Sequence, residues 1–317
     1  MSQLALSASP PASSTVSTTR LRLGLMVLAF VLLWSSAFSA AKIAVADCPP
    51  LLFLAVRFLA AGVLMLALAP VSGIRWTLSR RDVAVFAALG VANQAVYLGI
   101  GYVALKTGVS AGLASLIISA NPILTAALAV ALLGERMTVQ KIIGLVLGLA
   151  GVAFIVQSRL TLGTDSLTGI VLCVLALISL VGGTILFKFF APKQGLWIGN
   201  GVQSLAAGIA VLPFALAFES FADVVPTTSL ILAFAYNVLF VSVFAYLLWF
   251  RILQVSGATA ASSYHFMIPP LGMLFGWLLL GEHLEPADLI GIVPVALGIY
   301  LVTRPARAPK ALVGDVP

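Results

Sequence analysis

Apolar runs separated by short polar breaks dominate the chain. Ten of them, over 21–41, 50–70, 82–104, 110–133, 139–157, 167–189, 195–218, 228–252, 258–280 and 287–303, have the length of roughly 17–25 residues that crosses a bilayer as an α-helix. Pro, Gly and charge mark the breaks: Cys48-Pro49-Pro50, Ser72-Gly73-Ile74-Arg75, Gly134-Glu135-Arg136, Gly163-Thr164-Asp165, Pro192-Lys193 and Gly281-Glu282-His283. The runs do not alternate apolar with polar, as the strands of a spanning barrel would. Helices also satisfy their own backbone in lipid. The pattern therefore predicts an all-α, polytopic membrane protein with ten transmembrane helices. Residues 1–19 carry no charge and are rich in Ser, Thr, Pro and Ala, which predicts a disordered tail. Residues 304–317 are expected to form a second, cytoplasmic tail.

Composition agrees. The apolar fraction is 62% and the charged fraction 9%, against about 25% charged in soluble domains. The net charge of +7 does not indicate nucleic acid, because the basic residues stand singly or in pairs between apolar runs. They set orientation instead. With the N-terminus in the cytoplasm, thirteen Lys/Arg fall on the inner side and three (Lys42, Lys106 and Arg159) on the outer, with Arg57 inside the second span. That bias places both termini inside and requires an even number of spans.

The halves repeat. At an offset of 147, Leu132-Leu133-Gly134-Glu135 falls on Leu279-Leu280-Gly281-Glu282, Gly144 on Gly291, Gly151 on Gly298 and Pro122 on Pro269. At 146, Leu59-Ala60-Ala61-Gly62 falls on Leu205-Ala206-Ala207-Gly208. The repeats are assigned to 20–158 and 159–303. Five spans in each is an odd number, so the halves enter the membrane from opposite sides. Inverted repeats of this kind indicate a transporter with its site between them.

The chain resembles the drug/metabolite transporter superfamily, in its ten-helix EamA-type branch, over roughly 21–303. The resemblance rests on Trp34, Phe38 and Lys42 in the first helix, Pro50 and Arg57-Phe58 in the second, Asn121-Pro122 and Pro269-Pro270, and the duplicated Gly134-Glu135 and Gly281-Glu282. Within the branch it is similar to bacterial exporters of aromatic amino acids. The resemblance implies a bundle around a central cavity, alternating access and an inner-membrane location. The small four-helix multidrug relatives carry a Glu in their first helix; this chain has Trp34 and serines there.

All ten Asp and Glu lie in the tail, in loops or at span ends. An intramembrane carboxylate is the usual proton or cation site, so a neutral, zwitterionic or anionic substrate is expected rather than a lipophilic cation. Candidate substrate-binding residues are the polar and aromatic ones inside spans: Trp34, Asn93 with Tyr97, Asn200 with Gln203, Tyr246, and Ser262 with His265. Interhelical hydrogen bonding is the competing role for each polar member. Pro122, Pro269 and Pro270 are read as hinges or as static kinks. Arg57 and Lys42 are assigned to gating or structure, with contact to a substrate carboxylate as the alternative. Glu135 and Glu282 are expected to cap the helices that follow them.

No metal or cofactor is expected: Cys48 and Cys173 lack metal or redox spacing. No clustered acids or paired nucleophile and base suggest an enzyme, and no Gly-Lys phosphate loop is present. The expected partners are the bilayer and a small metabolite, above all an amino acid. A monomer suffices for this and the oligomeric state is left open. A proton-coupled carrier, an anionic-metabolite carrier and a non-transporting sensor or scaffold are the alternatives.

Overall fold

The computed structural model describes residues 13–133, 138–190, 192 and 194–303. Among them every regular element is helical. Nine helices are long and apolar enough to cross a membrane: α1 (Leu21–Asp47), α2 (Pro50–Val71), α3 (Arg80–Lys106), α4 (Ala111–Leu128), α5 (Val139–Leu162), α6 (Leu167–Phe187), α7 (Leu196–Phe218), α8 (Thr228–Ser256) and α10 (Pro286–Thr303). The ninth in chain order, α9 (Tyr264–Leu280), is apolar but shorter. Exposed Val63, Ile143, Val146, Ile178, Phe214 and Val293 give the bundle an apolar exterior, which suits lipid and not water.

Two boundaries differ from expectation. Helical backbone begins at Ser13, inside the expected tail. No Pro or Gly follows Pro11 until Gly24, so nothing stops the first helix from running back. The break expected near 253–257 is also absent, and helix continues from Tyr246 to Ser263. That stretch holds Gly257 but no Pro or charge beyond Arg251, so its breaking signal is weak. Gly134, Glu135 and the 304–317 tail lie outside the described residues.

The helices pair across a pseudo-twofold axis. α2 packs on α7, α5 on α10 and α4 on α9. Within each pair the contacts run antiparallel. On α2 and α7, Gly62 meets Leu205 while Gly208 meets Leu59. On α5 and α10, Gly144 meets Gly298 while Gly151 meets Gly291. Each pair of contacts is its own image under the sequence offset, as an isologous interface requires. Glycine permits it because a Cβ on Gly62 would stand 2.7 Å from the Leu205 side chain. The inverted repeat is thus visible as side-chain packing.

The third helix of each repeat contains a π-helical stretch, Val91–Val96 in α3 and Tyr236–Ala245 in α8. Such segments are rare and concentrate at functional sites. The fourth helices are interrupted at matching places. In α4 the α-helix stops at Ile118 and restarts at Asn121. In α9 a 3₁₀ turn over Tyr264–Met267 precedes the helix Ile268–Leu280. Pro122, Pro269 and Pro270 therefore stand in the first turn of a half-helix, where a missing N–H costs little, and not in the middle of a continuous helix.

The face holding the end of α1 and the α3–α4 turn is called the far face below. Gly108, at φ +105°, makes that turn. The near face holds the start of α1 and the end of α10.

Candidate functional site

α2 brings Arg57 into the bundle interior, 6% exposed. Its Nη1 donates to Tyr102 Oη at 2.5 Å, and Nε and Nη2 donate to Ser242 Oγ at 3.3 Å. Tyr102 in turn donates to Asn237 Oδ1 at 3.2 Å. The guanidinium also lies 5.8 Å from the Phe58 ring centroid and 5.9 Å from that of Tyr102. Every oxygen in this set belongs to a neutral group. Among the described residues no carboxylate pairs with Arg57. A cation at this depth is costly without an anionic partner.

Aromatic walls begin one turn along α8. Tyr246 meets Trp34 edge to face at 5.5 Å, and Trp34 packs on Phe30 at 5.3 Å. Trp249 stacks on Phe30 at 5.3 Å and meets His265 edge to face at 5.1 Å. Helices α1, α8 and the 3₁₀ turn of α9 thus gather three residues singled out from sequence: Trp34, Tyr246 and His265. Ser242, which holds Arg57, precedes Tyr246 by four residues, about one turn of the π-helical stretch of α8. Ser36 hydrogen-bonds Tyr236 at 2.6 Å on the same α1–α8 seam. Ser35 and Ser39, one turn apart on α1, are buried with hydroxyls that make no hydrogen bond among the described residues.

A second polar cluster occupies the pseudo-symmetric place. Gln94, on the π stretch of α3, donates to Asn200 Oδ1 at 3.3 Å and accepts from Ser204 Oγ at 3.1 Å. Asn200 also reaches Met65 Sδ. Arg57 on α2 corresponds to Gln203 on α7, which is buried beside the close approach of Gly90 to its backbone. The first repeat thus places a cation, Arg57, where the second places the amide of Gln203.

The remaining candidates fall elsewhere. Asn93 donates to the Gly183 carbonyl at 3.1 Å and fastens α3 to α6. Tyr97 packs against the main apolar core. Ser262 is in helix, but its side chain lies outside the described residues. Lys42 is at the far face, where Nζ donates to the carbonyls of Leu105 at 2.7 Å and Val109 at 2.5 Å. Lys106 returns the contact, donating to Val45 O at 2.6 Å. Glu282 caps a helix, but not the one it precedes. Its carboxylate accepts the Ala111 and Gly112 amides that start α4, at 2.5 and 2.9 Å. Glu219 does the same for α2 through Leu51 and Leu52.

Sequence reading missed Tyr102, Ser242, Gln94 and Asn237's link to Tyr102. Ser242 and Gln94 sit on π turns, whose register a 3.6-residue reading does not follow. In the sequence nothing distinguishes Tyr102 from other membrane aromatics. The only available signal for it was its place in the same repeat as Arg57.

Among known proteins, the sequence profile of the EamA-like transporter family matches residues 22–157 and again 167–304. "Uncharacterized transporter YvbV" of Bacillus subtilis is 28% identical over 291 residues, covering 92% of this chain and 94% of its own. "Uncharacterized inner membrane transporter YedA" of Escherichia coli is 26% identical over 277 residues, covering 87% and 89%. The "Probable amino-acid metabolite efflux pump" of Salmonella typhimurium is 25% identical over 293 residues, covering 88% and 93%. A crystal structure with 20% identity covers 88% of this chain and 96% of its own at a TM-score of 0.62, a likeness of fold alone. The two profile matches fall on the two halves that the interlocking glycines of α2–α7 and α5–α10 relate, and the chain belongs to the EamA-like transporter family.

Proposed function

We propose that this transporter exports amino acids, aromatic ones included, across the inner membrane by rocking two inverted five-helix units, 20–158 and 159–303. The observation that carries the reading is the distance between unlike chemistries along α8. Arg57, bonded only to neutral oxygens, lies about one helical turn from the aromatic group of Trp34, Tyr246, Trp249 and Phe30. An aromatic amino acid has its carboxylate and ring about that far apart. Arg57 takes the carboxylate and the aromatic group takes the ring. Asn237, Gln203, Asn200 and His265 supply polar edges. The interrupted helices α4 and α9, with Pro122, Pro269 and Pro270 at the restarts, provide the moving half-helices. Ser262 belongs to the same stripe as His265.

Among the described residues every carboxylate lies at a helix end or in a loop. This supports movement down the substrate's own gradient, without a proton-carrying acid at mid-membrane. The basic residues orient both termini to the cytoplasm, so the far face is the outer one. One chain contains both clusters, so a monomer suffices. The second reading is a carrier of other organic anions. Arg57 favours it equally, and only the aromatic group separates the two.

The test is uptake of labelled phenylalanine and of 3-phenylpropionate into proteoliposomes, with and without a pH gradient. Phenylalanine flux without an ion gradient supports the proposal. Flux of the propionate alone favours the organic-anion carrier. No amino-acid flux from monodisperse protein rejects the substrate assignment.

A further inference from the structure

A cleft of about 410 Å³ opens at the far face between the ends of α1, α8 and α9. Lys42, Asp47, Ser229 and Glu282 line it, with Ile43 and Leu280 as apolar walls. This is the lower part of the size range of small-molecule sites. It is distinct from the Arg57 cluster and shares no residue with it.

The charged groups are each held, and each keeps capacity to spare. The Lys42 ammonium has three donors, of which two go to the Leu105 and Val109 carbonyls. Each oxygen of Glu282 accepts one backbone amide, from Ala111 or Gly112, and retains a second lone pair. Asp47 accepts Thr227 Oγ1 through Oδ2. One cation and two carboxylates therefore face a common space. That charge pattern matches a zwitterion: a carboxylate for Lys42, an ammonium for Glu282 and Asp47. A simple anion would meet two like charges, and a simple cation would meet Lys42.

The partners of these side chains add a consequence. Lys42 ties α1 to the α3–α4 turn, and Glu282 ties α9 to the start of α4. A zwitterion in the cleft competes for both groups. Its carboxylate draws Lys42 from backbone carbonyls, and its ammonium draws Glu282 from backbone amides. Binding there loosens the two contacts that close the far ends of α1, α4 and α9.

We propose that this cleft is an exit subsite for zwitterionic α-amino acids, in which Lys42 and Glu282 bind the departing substrate and release the far-face closure together. The proposal rests on the amino-acid reading above and on its orientation of the far face outward.

Counterflow of labelled phenylalanine in right-side-out and everted membrane vesicles tests it. The half-saturating concentration is measured at the outer face in the first and at the inner face in the second. Lys42→Met and Glu282→Gln are expected to raise the outer-face value about tenfold, as loss of a charged hydrogen bond would. The inner-face value should rise by less, since it reports only the weakened far-face closure and not the lost contact. Lys42→Arg should recover most of the outer-face affinity. In wild type, external phenylalaninamide and 3-phenylpropionate should each drive counterflow worse than phenylalanine. An unchanged outer-face value, or equal shifts at both faces, overturns the subsite and leaves the residues as closures only. Absence of phenylalanine counterflow in wild type overturns the functional reading and the subsite with it. Asp47→Asn serves if Glu282→Gln fails to accumulate, because Asp47 caps no helix amide among the described contacts, and the same outer-face shift is expected.

Discussion

The carbonyl oxygen of Gly144 lies 2.6 Å from where a Cβ on Gly298 would be, and the carbonyl oxygen of Gly298 lies 2.8 Å from where one on Gly144 would be. The two helices touch backbone to backbone, and Gly151 with Gly291 repeats the arrangement two turns away. Small residues allow this approach in membranes, where helices associate through packing and not through the hydrophobic effect. Because the contact relates α5 of one repeat to α10 of the other, it fixes how the halves meet.

Leu at either position should force α5 and α10 apart. Gly144→Leu and Gly298→Leu are each expected to cost about 1–3 kcal/mol, read as a lowered thermal midpoint in detergent. Gly182→Ala is the control. Nothing lies within 4 Å of its missing Cβ, so it should be neutral or slightly stabilising through helix propensity. Equal losses in all three variants would show that the 144–298 contact has no special role.

The same helix pair is held at the far face by Arg159. Its Nε and Nη2 grip both oxygens of Asp288, and Nη2 also donates to the His283 carbonyl at 3.0 Å. Both side chains are almost fully buried, and Asp165 stands 3.6 Å away. Asp288→Asn leaves the arginine with that weaker partner. Removing one member of a buried pair costs about 3–5 kcal/mol; the presence of Asp165 should keep the loss near the lower end. Arg159→Met with Asp288→Leu and Asp165→Asn should cost less than Asp288→Asn alone, since all three members of the buried cluster are then neutral and no buried charge is stranded. A triple variant less stable than the single one would contradict this.

Much of the fold was legible because lipid imposes simple demands. Each span must be long, apolar and helical, so span order and the breaks at Pro49, Gly73, Gly163 and Gly281 could be read directly. The inverted repeat was legible because glycines at helix contacts recur at one offset. The 253–257 break was not, since Gly257 alone does not end a helix. Sites were harder. Trp34, Tyr246 and His265 converge, but Asn93 proved to tie α3 to α6. Gln94 beside it, not Asn93, joins Asn200, because a π turn sets the register there. Glu282 shows a further limit: its charge predicts a helix cap, while only the three-dimensional fold says which helix is capped.

Cys48, between α1 and α2, offers a pH-dependent readout. Burial pushes its thiol up to about 11, the nearby Glu219 adds to the rise, and Lys106 opposes it. A raised pKa keeps the thiol protonated at neutral pH. Roughly two to three orders of magnitude less thiolate is then present than for a free cysteine with pKa near 8.5. In a Cys173→Ser background, maleimide labelling should be slow at pH 7 and climb about tenfold per pH unit through pH 10. A rate that levels off near pH 9 would mean that the thiol is open to water.

Arg57 gives the sharpest division between a structural and a substrate-binding role. Its hydrogen bonds to Tyr102 and Ser242 join α2, α3 and α8, so any truncation also loosens the bundle. Arg57→Met should reduce phenylalanine flux by about tenfold to a hundredfold, the value of a charged hydrogen bond to a carboxylate. Arg57→Lys keeps the charge but loses the fork and should retain part of the flux with weaker apparent affinity. Tyr102→Phe removes one partner without touching the charge. If Arg57 acts only as a tie, Tyr102→Phe and Arg57→Lys should lower the thermal midpoint and the flux in step. If it binds the substrate carboxylate, phenylalanine should raise the thermal midpoint of the wild type and of Tyr102→Phe, but not of Arg57→Met. Ligand stabilisation of that kind grows with concentration over the dissociation constant, so it separates binding from packing even where both variants are less stable. Equal stabilisation of Arg57→Met and wild type would remove Arg57 from the substrate site.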